Sequence, residues 1–456
     1  MMMKIFSILL ICMGLASCQK YVDIKKSGSQ SFLETANDCQ LLLDNYELFN
    51  TDYPYDGELS ADDYYLDDDG YNLDRVTIED RSLYTWLPDA IRASPEQWVK
   101  PYNKIYHTNL ILETLAKLSG SEIDNLKGSA LFLRSYALWN LAQLYIKPFS
   151  TATATEPGLP IHLKSDINDV PGRGTVKETY DRIVADLKEA VTLLNTTSTI
   201  SSRPNKAAAY AMLARVYLSM EDYPNALTSA NEALQLQHEL LDYNTLSTGT
   251  LTPFIRFNKE VIFQSVKGRA DILDPGYGEG NSAIIVPELI SAYADNDLRK
   301  AIFFKENLSN EDYTTPLGTY RFTGNYEPSV SSTQFNGLTV DELYLVRAES
   351  YARANNATAA MSDINTLLRS RWADGTYTDM TAPDAATALE IVLTERRKEL
   401  VMRGQRWTDL RRLNKDQTLT RTVNGTAYTL PPADSRYTLL IPQEVITNSK
   451  LPQNLR

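Results

Sequence analysis

Cysteine and histidine are scarce in this 456-residue chain, which has three of each. His107, His162 and His238 stand far apart, and no HExxH, CxxC, GxSxG, strand-following GxGxxG or phosphate-loop pattern occurs. Metal, nucleotide and nucleophile-elbow chemistries therefore lack their usual spacings. A basic surplus is missing too: Lys and Arg number 45 against 58 Asp and Glu, for a net charge of −13. Neutralising phosphates needs a basic surface, so nucleic acid is not an expected partner. Hydrophobic residues at 43% and charged residues at 23% describe a globular chain, neither disordered nor polytopic in a membrane. Length alone would suggest two or three units at roughly 150 residues each.

The N-terminus carries a different signal. Lys4 precedes an apolar stretch over residues 5–15, which is too short to cross a bilayer core of about 30 Å. Leu15-Ala16-Ser17-Cys18 then resembles a bacterial lipobox. The expectation is a signal peptide over 1–17, lipidation at Cys18, and a polar tether over 18–30 leading from the lipid to the first helix. One acyl chain holds a protein marginally, whereas two or more anchor it stably. With Cys12 removed and Cys18 lipidated, Cys39 is the one thiol left, so no intramolecular disulfide is expected. Cys39 falls in an apolar-periodic stretch with Phe32, Leu33, Ala36 and Leu43 and reads as a small buried hydrophobe. Ser29 or Ser31 is the expected cap of a helix running to about Leu48.

Residues 44–80 contain thirteen acidic residues and one basic residue, Arg75. The run Asp67-Asp68-Asp69-Gly70 invites a calcium reading, but with Gly70 at loop position 6 the first ligand would be Tyr65, so the EF-hand spacing fails. The segment reads as a solvated acidic loop, with a weak cation site as the alternative and no metal ligands assigned.

Helical periodicity follows at 97–118, 130–145 and 179–194, interrupted by a Pro-, Thr- and Gly-rich stretch at 148–174. Trp98 lies on the apolar side of its helix and reads as core. Residues 206–236 and 341–368 each read as two short helices around a turn. Shifting one by 134 residues superposes Tyr210 on Tyr344, Ala214 on Ala348, Tyr217 on Tyr351, Ala226 on Ala360, Asn231 on Asn365 and Leu234 on Leu368. This resembles degenerate tetratricopeptide repeats, which stack into a solenoid and present surface to partners. Residues 241–335 lose the period: 261–266 reads as a short strand, Gly276, Gly278 and Gly280 surround Tyr277, and 319–322 alternates like a strand. A loop-rich insertion on a rigid scaffold is a common place for binding residues. The C-terminal run at 385–413 reads as one long helix, with Glu399/Arg403 and Asp409/Arg412 spaced to pair along it.

Three stretches together resemble the SusD/RagB family of Bacteroidetes outer-membrane lipoproteins. Glu395-Arg396-Arg397-Lys398-Glu399-Leu400, Gly404, Arg406-Trp407 and Asp409-Leu410-Arg411-Arg412 resemble the family's E-R-R-x-E-L-x-x-x-G-x-R-W-x-D-L-R-R signature. Residues 341–349 resemble its E-x-Y-L-x-x-A-E helix. Residues 440–454 resemble its closing I-P-x-x-E-V-x-x-N-P-x-L-x-Q-N, with Ser449 where Pro is usual. The resemblance implies a mainly α, tetratricopeptide-like scaffold with a loop-rich ligand face and little β, as one domain over 31–456. It also implies a non-catalytic lipoprotein with no cofactor, seated as a lid over a TonB-dependent (SusC-like) transporter and capturing oligosaccharides or, in some members, peptides. Glu395, Arg396, Glu399, Arg406, Trp407 and Asp409 read as scaffold, since they recur across a family whose ligands differ.

Sugar recognition pairs flat aromatic faces with polar side chains. The resemblance places these in early and mid-chain loops. The candidates here are Trp86 first, then Tyr84, Tyr277, Tyr320 and Tyr326, with Asn281 and Arg321 as polar partners. The competing readings are an envelope-assembly repeat scaffold and a secreted hydrolase. The second would need two carboxylates about 5–9.5 Å apart across a sugar, for which the adjacent aspartates at 62–69 are a poor substitute.

Overall fold

Apolar side chains three and four apart build a stacked helical array in the computed structural model, which describes residues 33–274, 283–307, 316–413 and 416–456. Helices α1 (Glu96–Leu115), α2 (Ile123–Tyr145), α3 (Val176–Leu193), α4 (Lys206–Ser219), α5 (Tyr223–Leu236), α6 (Val340–Arg353), α7 (Ala357–Arg369) and α8 (Ala385–Glu399) each pack on the next. Helix α6 rests on α5 although residues 237–339 intervene, so the insertion leaves the array and returns without breaking the stack. Thr35–Arg456 form one unit.

The repeat is visible down to its turns. Glu221 and Asn355, 134 residues apart, take φ of 58° and 60°. Asp222 caps α5 by accepting from the Asn225 amide, and Asn356 caps α7 by accepting from the Ala359 amide. Ala142, Ala214, Ala226, Ala348 and Ala360 are all fully buried, so the helices approach closely there. Tyr217, Leu234 and Leu368 fill the gaps between them. Each such large apolar side chain contributes about 1.5–3 kcal/mol on burial. Cys39 and Trp98 are also core.

β-structure is limited to two-stranded pieces among the described residues. Tyr64–Tyr65 pairs with Ile284–Ile285, Val261–Phe263 with Leu338–Thr339, and Phe304–Glu306 with Tyr320–Phe322, all antiparallel. Leu419–Val423 and Thr426–Leu430 form a hairpin whose Asn424-Gly425 turn has both φ values positive, as a two-residue type I′ turn requires. No helix among the described residues is long and apolar enough to cross a membrane.

Two helices end earlier than periodicity suggests. Ser29 and Ser31 lie outside the described residues. Thr35 caps the first described helix, Ala36–Leu43, in a capping box with Asp38, and Asn45 starts a separate turn at Tyr46–Phe49. At the other end α8 stops at Glu399, and α9 (Arg406–Leu413) begins after a turn in which Met402 and Gly404 have φ of 58° and 78°. Asp409 and Arg412 do pair, at 2.8 Å, within α9. Glu399 and Arg403 do not share a helix. Glu399 instead binds Arg299 and Arg371, and Arg403 binds Asp341 at 2.6 Å.

The reading of 44–80 as a solvated loop is corrected. The segment forms short helices at Asp56–Ser60, Asp68–Asn72 and Ile78–Tyr84, and Asp56, Glu58, Asp63 and Asp80 are buried. Distant cations compensate them. Arg92 reaches Asp56 at 2.7 Å and Asp80 at 2.6 Å, Lys267 reaches Glu58 at 2.6 Å, and Arg397 reaches Asp63 at 2.8 Å. Burial alone would raise the Asp62 carboxyl, yet Arg406 and Arg397 hold it at about 2. Asp67 is spent on capping, accepting from the Gly70 amide at 2.7 Å, and Asp68 accepts from the Asn424 amide at 2.6 Å. No group of three or more His, Cys, Asp or Glu among the described residues is arranged to hold a metal ion.

Burial pushes many tyrosine hydroxyls upward: Tyr46 and Tyr223 to about 12, and Tyr243, Tyr293 and Tyr326 well beyond the usual value. The unfolded chain then releases these protons first. Their contribution is complete below about pH 10 and is lost as pH rises through the folded values. Urea midpoints measured from pH 8 to 11.5 should fall steeply above 10; a flat profile would contradict the buried placement.

Candidate functional site

The insertion between α5 and α6 is held against the repeats by buried charges. Arg299 is fully buried and binds Asp297 and Glu395 at 2.6 Å and Glu399 at 2.9 Å. Arg371 joins Glu399 to Glu260 of the insertion, each at 2.7 Å. Lys398 binds Glu395 at 2.8 Å and Asp297 at 3.2 Å. Arg396 pairs with Asp409, and Arg412 bridges Asp409 and Glu349. The signature carboxylates and guanidiniums are therefore engaged in holding the insertion and helices together.

The structure separates the aromatic candidates. Trp86 is 4% exposed, has φ of 52°, and donates its indole N–H to the Ser60 carbonyl at 2.9 Å. Tyr84 is 1% exposed, and its hydroxyl accepts from the Leu66 amide at 2.8 Å. The Arg421 guanidinium, from the 419–430 hairpin, lies 3.9 Å from the Tyr84 ring and 4.4 Å from the Trp86 ring. It also donates to the Tyr84 and Ala61 carbonyls. Tyr326 is fully buried, donates to Glu260 at 2.7 Å, and has Arg403 4.0 Å from its ring. The expectation of open stacking faces at Trp86, Tyr84 and Tyr326 is thus corrected. Arginines brought by distant segments already lie against these rings, and their polar atoms are satisfied inside the protein.

Tyr277 and Asn281 lie outside the described residues. Tyr320 and Arg321 are half-exposed on the strand Tyr320–Phe322. Arg321 stands opposite Lys305 in the register, and neither has an ion-pair carboxylate among the described residues. Burial lowers the Arg321 guanidinium from its ordinary value. Burial first, then Arg321, lowers the Lys305 ammonium. The strand next to this hairpin, Ile284–Ile285, also pairs with Tyr64–Tyr65, whose Tyr65 is half-exposed. A half-open tyrosine beside two donor-bearing cations is suited to a flat, oxygen-rich ligand. Tyr65 and Lys305 were not among the sequence candidates. Tyr65 comes in through its pairing with Ile284, more than 200 residues away, and Lys305 through its pairing with Arg321, and periodicity carries neither.

A second concavity lies at the other end of the signature. A cavity of about 410 Å³ is formed by residues 147–157, 433–438 and 453–455 together with Leu410 and Arg411. The C-terminal tail that closes it is fastened by Gln453, which exchanges hydrogen bonds with the Ile441 backbone. Asn454 donates to the Tyr145 and Leu439 carbonyls.

Residues 20–218 match the family described as "Starch-binding associating with outer membrane", and residues 308–444 match the SusD family. The chain is 22% identical to SusD-like protein P38 of Formosa agariphila over 98% of this chain and 97% of that protein. It is 25% identical to SusD-like protein P2 of the same organism over 69% and 71%. Among solved structures, a SusD superfamily protein from Bacteroides thetaiotaomicron superposes with a TM-score of 0.73 at 23% identity, covering 92% of this chain and 99% of that one. A laminarin-binding SusD-like protein superposes with a TM-score of 0.67 at 16% identity, covering 92% and 99%.

Proposed function

Because the chain belongs to the SusD/RagB family, we propose that it is a non-catalytic surface lipoprotein that captures an oligosaccharide and passes it to a TonB-dependent, SusC-like transporter. The observation that carries this reading is the pair of family matches at both ends of the chain, alongside a laminarin-binding relative of the same fold. The proposed capture face is the strand carrying Tyr320 and Arg321, with Tyr65 and Lys305 beside it; Tyr277 and Asn281 are proposed as further contacts. Tyr320 supplies an aromatic platform, and Arg321 and Lys305 donate to hydroxyl oxygens.

Calorimetry of the protein against a panel of neutral and acidic oligosaccharides tests this. Binding to one glycan class without hydrolysis is expected. Tyr320→Ala should weaken it by about 1–3 kcal/mol, the scale of one lost aromatic stacking platform. Silence across the panel, or hydrolysis of a bound glycan, would overturn the capture reading.

Anchoring is proposed at Cys18, with residues 1–17 removed. Cys18→Ala is expected to release the protein from the outer-membrane fraction. Continued sedimentation with the membrane would rule out the lipid anchor.

A further inference from the structure

Where the turn between α8 and α9 meets the short helix Asp56–Ser60, three buried polar atoms have no hydrogen-bond partner in the protein. They are Oε1 of Glu58, Oε1 of Gln405 and Nε1 of Trp407. Glu58 and Gln405 are each 3% exposed and Trp407 is 2% exposed. All three line one cavity of about 30 Å³, with Lys267, Asn140 and Gln143 around it. An unmet donor or acceptor in the interior costs its full desolvation penalty, so three in one place call for a shared partner.

The groups around these atoms are held in place. Oε2 of Glu58 accepts from Lys267 Nζ and from the Gly404 amide, each at 2.6 Å. The Trp407 ring stacks on Tyr437 with centroids 5.1 Å apart, and on its other flank a Cβ at Gly57 would lie 3.2 Å from it. The carboxylate is already answered by a buried ammonium, so the cavity calls for a neutral occupant. That occupant must donate two hydrogen bonds, to Glu58 and Gln405, and accept one, from Trp407. A metal ion or ammonium cannot accept from the indole N–H. A halide or carboxylate cannot donate to the two oxygens, and a sugar hydroxyl has one proton to give. Water does both. The size agrees, since a water needs about 10–15 Å³ and a buried one makes about three hydrogen bonds to polar groups otherwise unmet.

We propose that this cavity is a binding site for a single long-lived water molecule, which joins the Glu58–Lys267 ion pair to the side chains of Gln405 and Trp407. Through it the acidic early segment and the C-terminal signature share one hydrogen-bonded network, although Glu58 and Gly404 stand 346 residues apart. The water completes the joint that the Gly404 amide begins, and it gives the polar atoms of Gln405 and Trp407 a task beyond filling space. The site stands independently of the glycan-capture reading.

The test is an atomic-resolution crystal structure of the protein grown in rubidium bromide, together with NMR of the tryptophan-labelled protein in water. A peak of water height should lie within about 2.5–3.2 Å of all three atoms, with no anomalous signal from rubidium or bromide. In solution the Trp407 indole N–H, identified as the resonance lost in Trp407→Phe, should show a nuclear Overhauser effect to water with the sign of a long-lived bound molecule. Gln405→Met keeps the shape of the side chain, removes its carbonyl and should abolish that effect. If this variant does not fold, the crystal and the parent signal decide. No peak at the position, an anomalous peak there, or a Gln405 amide turned so that its Nε2 donates directly to Glu58 would overturn the site. So would an indole N–H without the water signal, or a signal that Gln405→Met leaves unchanged.

Discussion

Arg299→Ala is expected to destabilise the protein by about 3–5 kcal/mol, the usual result of removing one partner from a buried ionic cluster. Arg299 has no exposed surface and contacts three carboxylates, Asp297, Glu395 and Glu399. Truncation leaves them facing one another in the interior, with Lys398 and Arg371 as the remaining cations. The loss exceeds that of a surface pair, which is worth about 0–1 kcal/mol. Arg299→Lys should recover only part of it, since a single ammonium cannot reproduce a fork that donates to Asp297 through two nitrogens and to two glutamates besides. Urea unfolding of the three proteins measures this directly. An Arg299→Ala midpoint within experimental error of the parent would show that the cluster does not fasten the insertion to α8.

Trp86→Ala is expected to cost about 3–5 kcal/mol of stability, the range for a truncated core aromatic. It should leave the glycan affinity of the folded protein unchanged. The indole loses its bond to the Ser60 carbonyl, and the Arg421 guanidinium loses one of the rings it lies against. Arg421 also lies over the Tyr84 ring, so a shift of the guanidinium would be felt there too. Arg421→Lys should show a smaller version of the same defect. An ammonium cannot lie flat against two rings while donating to both the Tyr84 and Ala61 carbonyls. A Trp86→Ala protein of parental stability with weakened glycan binding would return this residue to the ligand face.

These two side chains show where reading the sequence succeeds and where it stops. The Glu395 and Glu399 motif reads as scaffold, and the structure gives it that work. Trp86 reads as a platform because a Tyr-Thr-Trp stretch in an early loop resembles one, and nothing local announces that a hairpin more than 330 residues later covers it. The acidic segment follows the same logic. Asp56, Glu58 and Asp63 look solvated because their neighbours in sequence are acidic, while their partners Arg92, Lys267 and Arg397 come from elsewhere in the chain. The charge of a segment says what must be compensated. It does not say by whom.

The sequence by itself determined the repeat. Small residues, tyrosines and leucines recur at helical spacing, and a polar cap recurs at the two matching turns, Asp222 and Asn356, because helix formation and close helix packing are set by side chains a few positions apart. It also determined the family, through motifs whose residues are near neighbours. Only the tertiary structure decided which aromatics face solvent, how the acidic segment is neutralised, and that Arg411, unlike the other basic residues of its motif, is held by backbone carbonyls and has no ion-pair carboxylate among the described residues. Each of those is a contact between segments tens to hundreds of residues apart. Burial and ion pairing depend on distance in space, which sequence spacing does not encode.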